Sequence, residues 1–124
     1  MTPLTAAPQA YRENTVLCAT PAQRVVMLYD SARRCLRQAA DAMRAREVER
    51  AHNKLRQAEE IIAHLDGVLD FEQGAGLAEQ LHALYNFCLI HLNRARMSLE
   101  ADKVDEVSEI LGELRESWVE IAHR

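Results

Sequence analysis

The chain has 124 residues and a mass of 14.1 kDa, with 48% apolar residues, 27% charged residues and a formal net charge of −4. That is enough for one core without staples, and the balance is ordinary for a soluble globular domain. No apolar run approaches the ~20 residues of a membrane span, and Met1–Ala10 lacks the basic-plus-apolar pattern of a signal segment, so a cytoplasmic protein without membrane insertion is expected. Cys18, Cys35 and Cys88 are widely spaced and odd in number, and two of them lie on apolar stripes; they read as reduced core thiols.

Met1 to Ala10 has two prolines, small residues and no periodicity, the signature of a disordered tail. Tyr11 to Ala19 adds Tyr11, Val16 and Leu17, enough to lie on a bundle as an extended or short helical arm. Residues 1–19 are thus expected to form a flexible N-terminal tail and arm, and residues 20–124 a four-helix bundle. Thr20 to Asp30, T-P-A-Q-R-V-V-M-L-Y-D, is a helix start. Thr20 caps, Pro21 occupies the first helical position, and Gln23 stands three residues after the cap, completing a capping box.

Behind it Val25, Leu28, Ala32, Cys35, Ala39 and Ala42 recur at spacings of three and four, and Tyr29, Leu36 and Met43 widen the arc. The first helix is predicted from about Pro21 to Met43, closed by Arg44 and Arg46 at its negative end. The second follows after a few residues and so runs antiparallel, with Val48, Ala51, Leu55, Ala58, Ile62, Leu65 and Leu69 inward. Asp70 to Gly76 carries two glycines and is the clearest break. The third helix places Leu77, Leu81, Leu84, Cys88, Leu92, Ala95 and Leu99 on one face, with Tyr85 at its edge. Asp102 is the expected N-cap of the fourth, which buries Val104, Val107, Leu111, Leu114, Trp118 and Ile121. Helices of about 20–25 residues, each roughly 30–37 Å long, with short connections and one stripe apiece, predict an all-α, antiparallel up-down-up-down bundle.

Charge is uneven: Arg24–Arg56 holds nine basic and four acidic residues (+5), and Gln57–Arg124 five basic and fourteen acidic (−9). This reads as a basic helical hairpin docking on an acidic one. A nucleic-acid face would interleave aromatics with its basic residues, and these do not, so no nucleic acid is expected as partner.

A four-helix bundle raises the di-iron carboxylate site, which needs two Glu-x-x-His pairs plus a Glu from each remaining helix. Glu79/His82 and Glu120/His123 have that spacing. Yet Glu79 points away from the core stripe, the first helix offers only Asp30 and Asp41, and His123 is next to the chain end. His52 and His64 read as solvated and His91 as a hydrogen-bonded residue bordering the core. No metal, cofactor or catalytic residue is expected, and the chain reads as a non-enzyme.

One feature exceeds what a bundle needs. The third helix has a second apolar stripe, Ala83, Phe87, Ile90 and Met97, interrupted by Arg94 and turned roughly 100° from the core stripe. Extended apolar surface there marks a partner or a covering segment. Val26, Met27, Ile61 and Val68 also lie off or beside their stripes.

Tyr11, Val16 and Ala19-Thr20-Pro21, followed by Val25 to Asp30 and Ala32, open a pattern that covers nearly the whole chain from Tyr11. It continues through Ala58, Ile61-Ile62, Leu65, the loop at Gly74, Leu81-x-x-Leu84-Tyr85 and Leu111-x-x-Leu114-Arg115-x-x-Trp118. In order and spacing it resembles the FliS family of flagellar secretion chaperones. Arg24 stands where that family usually has leucine, and Ser31 where it often has glycine. The resemblance implies an antiparallel helical bundle that binds the disordered C-terminal segment of flagellin in the cytosol. It further implies that the bundle prevents premature polymerisation and hands flagellin to a component of the flagellar type III export apparatus. The expected partner-binding residues are Tyr11, Val16, Val26, Tyr29, Ala83, Phe87, Ile90 and Met97. A competing reading is a structural adaptor that self-associates, as a weak homo-oligomer, through the same stripe.

Overall fold

The computed structural model describes residues 19–72 and 76–123, which form four helices: α1 (Pro21–Arg44), α2 (Val48–Gly67), α3 (Leu77–Ser98) and α4 (Ala101–Ala122). The predicted start of α1 is present in full. The Thr20 hydroxyl accepts from the Gln23 amide at 3.2 Å, and the Thr20 amide donates to Gln23 Oε1 at 2.9 Å. The N-terminal arm, with Tyr11 and Val16, lies outside the described residues.

α1 packs on α2 and α4, α3 also packs on α2 and α4, and α1 and α3 therefore stand diagonally across the bundle. The helices are not equally close. Ala32, Ala39, Ala40 and Ala42 on α1 and Ala51 and Ala58 on α2 are small and buried, and α1 lies close to both α2 and α4. Gly112 on α4 makes room for the Arg33 guanidinium, which would lie 3.0 Å from a Cβ there, while Arg33 Nε donates to the Ser108 carbonyl at 3.1 Å. α3 faces inward with Leu81, Tyr85, Cys88 and Leu92, and these larger side chains hold its backbone further off.

The turns after α1 and α3 are made without glycine. After α1 the Glu47 amide reaches the Ala42 carbonyl at 2.8 Å and the Arg46 amide the Met43 carbonyl at 3.1 Å, with Arg46 in the left-handed region at φ 61°. That is a Schellman motif, which satisfies carbonyls the helix end would leave unpaired. Leu99 (φ 53°) makes the matching turn after α3, with the Glu100 amide on the Ala95 carbonyl at 3.1 Å.

Several expectations shift by part of a turn. In α1 the fully buried line is Tyr29, Ala32, Leu36 and Ala39, while Val25, Leu28 and Cys35 flank it half-buried. In α3 Tyr85 is fully buried and not at an edge, Leu84 is half-buried and Leu77 exposed. The true core face of α3 thus turns away from the second stripe. Asp102 does not cap α4: Glu100 stands at the cap without a side-chain bond, and Asp102 lies in the first turn. There, with Asp105, it accepts Arg44 of α1 at 3.2 and 2.5 Å. The favourable sign of an acid near a helix N-terminus is kept, and a cation from the basic half now completes it. Between α2 and α3 the polarity reverses, since Glu59 takes Arg96 and Asp66 takes His82 at 2.7 Å.

Burial tapers along α4. Val104, Val107 and Leu111 are buried, Leu114 and Trp118 only partly, and Ile121 is exposed. Trp118 was expected in the core; it lies instead at the mouth of the bundle end where α1 and α3 begin and α2 and α4 finish. It still packs against the core. Truncating a fully buried Trp costs about 3–5 kcal/mol, and this one is half-buried, so Trp118→Ala is expected to cost about 1.5–3 kcal/mol in urea melts. A loss under about 0.5 kcal/mol would mean that Trp118 contributes nothing to the end of the core.

Candidate partner-binding surface

α3 owes its outward face to one departure from bundle patterning: where a solvated helix turns polar, it carries Ala83, Phe87, Ile90 and Met97. All are exposed, Phe87 and Ile90 at 45% and Met97 at 80%. The spacing of three, four and seven residues keeps them on one side of the helix. Phe87 is not loose. Its ring stacks on that of His91, centroids 5.2 Å apart, and His91 Nε2 contacts Glu106 Oε2 of α4 at 2.5 Å. The chain Glu106–His91–Phe87 therefore braces the centre of the stripe from behind. His91 Nδ1 is buried and has no hydrogen-bond partner among the described residues.

Two clefts flank the open bundle end. One, of about 290 Å³, is walled by Leu65, Leu69, Leu81, Tyr85 and Trp118 and opens beside Val25. Val68, Phe71 and Leu77 are exposed around that end. Phe71 meets His82 edge-on at 6.0 Å, which ties the start of the linker to α3. The other cleft, of about 480 Å³, lies between the start of α1 and the end of α4 and is lined by Val26, Met27, Val119 and Ala122. The Arg115–Asp30 ion pair joins α4 to α1 close by, since Arg115 also lines this cleft.

Of the expected site residues, Tyr11 and Val16 lie outside the described residues and the other six fall in three places. Ala83, Phe87, Ile90 and Met97 share the open face of α3. Val26 lines the α1–α4 cleft and is half-buried. Tyr29 is fully buried, a correction to the expected set. Its hydroxyl is bonded to that of Tyr85 across the bundle. A phenol half-way down a core finds its partner inside, which removes it from the surface. Tyr29 supports the site indirectly, by holding Tyr85 as a wall of the smaller cleft. Burial raises both phenol pKa values, and for Tyr85 the bond to Tyr29 adds to the rise. Sequence patterning missed Trp118, Val119 and Phe71 as surface-lining residues; the signal available was weak, because only the tapering of α4 exposes the first two.

Among the described residues no group of three or more His, Cys, Asp or Glu side chains could hold a metal ion. His82 of the Glu79/His82 pair is engaged with Asp66 on α2. No described helix is long and apolar enough to cross a membrane.

The family model "Flagellar protein FliS" matches residues 4–124 of the chain. The chain belongs to the FliS family. Similar proteins include the flagellar secretion chaperone FliS of Salmonella typhimurium, 31% identical over 111 residues that cover 89% of this chain and 82% of that one. The flagellar secretion chaperone FliSB of Pseudomonas aeruginosa is 32% identical, with 90% and 88% covered. FliS of Bacillus subtilis is 28% identical, with 88% and 80% covered. The fold is shared with a solved bacterial flagellar chaperone, with a TM-score of 0.78 at 18% identity and 98% of each chain covered. These FliS relatives are named chaperones and not enzymes, and this member of the family is likewise no enzyme.

Proposed function

We propose that this chain is a cytoplasmic export chaperone. It binds the disordered C-terminal segment of flagellin, holds it back from premature polymerisation, and delivers it to a component of the flagellar type III export apparatus. The observation that carries this reading is the exposed stripe Ala83–Phe87–Ile90–Met97 on α3, in a chain whose relatives are named flagellar secretion chaperones. A disordered segment with apolar residues every three or four positions can fold against such a face as an amphipathic helix, with no covalent chemistry and no cofactor. Ordering the segment consumes part of the gain, so binding is reversible, as a carrier requires.

The test is a pull-down of flagellin from lysate by the full chain, run beside flagellin lacking its C-terminal end. Retention of intact flagellin alone is the expected result; equal retention of the truncated form would overturn the reading. Self-association through the same face is the competing use, and light scattering of the free protein distinguishes it by mass.

A further inference from the structure

Between Ala83 and Met97 the open face of α3 contains one charge. Arg94 stands between Ile90 and Met97 at spacings of four and three, and it is exposed. The acidic half of the chain offers four described cations from Gln57 onward: Arg94, Arg96, Lys103 and Arg115. Three are neutralised within the fold: Arg96 by Glu59, Lys103 by Glu100 at 3.4 Å, and Arg115 by Asp30. The Arg94 guanidinium has no ion pair or hydrogen bond among the described residues, although that half carries a large acidic excess. An arginine in the last turns of a helix gains from the dipole. That accounts for a cation near this end of α3, but not for its place in the middle of an apolar stripe.

We infer that Arg94 is the specificity-determining residue of this face. The segment that docks there is an amphipathic helix whose apolar side carries one carboxylate, and that carboxylate pairs with Arg94. The inference rests on the flagellin reading above and names what the bound segment must contain. Apolar stripes alone tolerate sliding by a turn, because each register buries similar area. A single charge inside the contact does not, since every wrong register leaves both Arg94 and the carboxylate covered and unpaired. An arginine stem can cover apolar surface while its head stays hydrated, so an exposed Arg94 costs the free protein little. A fork of fixed geometry also sets the direction of the partner's side chain better than an ammonium would.

The test uses a synthetic flagellin C-terminal peptide and a set in which each Asp or Glu is changed singly to Lys, titrated against the full chain. Arg94→Glu should weaken the unmodified peptide about tenfold or more, and Arg94→Gln by less, with the melting temperature of both only slightly lowered by the lost dipole interaction. One peptide of the Lys set, and one only, should bind Arg94→Glu better than it binds the wild-type chain. Overturning results are unchanged affinity in both Arg94 variants where Phe87→Ser with Ile90→Ser abolishes binding, or a uniform loss that no Lys peptide reverses. If the wild-type chain ignores the unmodified peptide altogether, the flagellin reading falls, and this inference with it. Self-association of the free chain that Arg94→Glu abolishes would likewise overturn it, by assigning the face to a second copy.

Discussion

Phe87→Ser combined with Ile90→Ser is expected to weaken binding of a flagellin C-terminal peptide roughly thirty- to a hundredfold while the melting temperature moves little. Fully burying a side chain of this size is worth about 1.5–3 kcal/mol, and each retains about half of its surface for a partner. Together they should therefore supply about 2–3 kcal/mol of binding, and every 1.4 kcal/mol is about tenfold. The core does not depend on them: α3 buries Leu81, Tyr85, Cys88, Leu92 and Ala95, which face the other way. Phe87 does cover His91, so its loss should cost the fold under about 1 kcal/mol. A double variant that unfolds on mild heating would place the stripe in the core. A stable variant with unchanged affinity would move the binding groove to the cleft beside Val26 and Met27.

Raising the pH from 9 to 11 is expected to remove several kcal/mol of stability, with the loss steepening above pH 10. Three buried groups at the centre of the bundle are neutral in the fold. Burial pushes the Cys88 thiol up to about 11 from 9.0, and burial also raises Tyr29 and Tyr85 above 10.0. In the unfolded chain these groups ionise near their ordinary values, so above those values the unfolded state holds fewer protons than the native one. Stability then falls as pH rises, by about 1.4 kcal/mol per pH unit for each group still protonated in the fold. The contribution is intact below pH 9. Cys88 accounts for a loss of about 2 kcal/mol between pH 9 and 11, and the tyrosine pair adds its share above pH 10. Urea melts at pH 8, 9.5 and 11 read the slope, and Cys88→Ala should make it shallower between pH 9 and 11 while leaving the tyrosine share above pH 10. A stability that stays level to pH 11 would mean that water reaches the Tyr29–Tyr85 pair.

The bundle was legible because each helix announces itself by local chemistry. Thr20, Pro21 and Gln23 specify the start of α1 among neighbours three residues apart, and the stripes of α2 and α3 repeat at helical spacing. What failed is what depends on the other side of the bundle. Tyr85 looked like an edge residue because its phase differs slightly from Leu81 and Cys88; the Tyr29 hydroxyl across the core draws it in. Asp102 had a cap's chemistry, but the chain turns through Leu99, two residues earlier than an aspartate cap would require. Neither Arg46 nor Leu99 signals a left-handed turn, a conformation that glycine usually marks.

For the site the pattern reversed. The open face of α3 was visible as apolar residues in excess of what packing needs, a local property. Tyr29 was misplaced among the contact residues because an aromatic on a wide arc can serve core or surface, and only a partner from α3 decides between them. The clefts at the bundle end could not be foreseen, since they arise where α4 loses its cover beyond Leu111.

The central claim is that flagellin's C-terminal segment lies on α3, and methionine methyl resonances test it most directly. Met97 is 80% exposed on the stripe, Met43 is 6% exposed in the core, and Met27 lines the α1–α4 cleft. Methyl-labelled chain titrated with the peptide to saturation should show the Met97 signal moving with the binding isotherm while Met43 stays in place. Saturation with Met97 unmoved, above all with Met27 shifting instead, would contradict the claim and put the segment between α1 and α4.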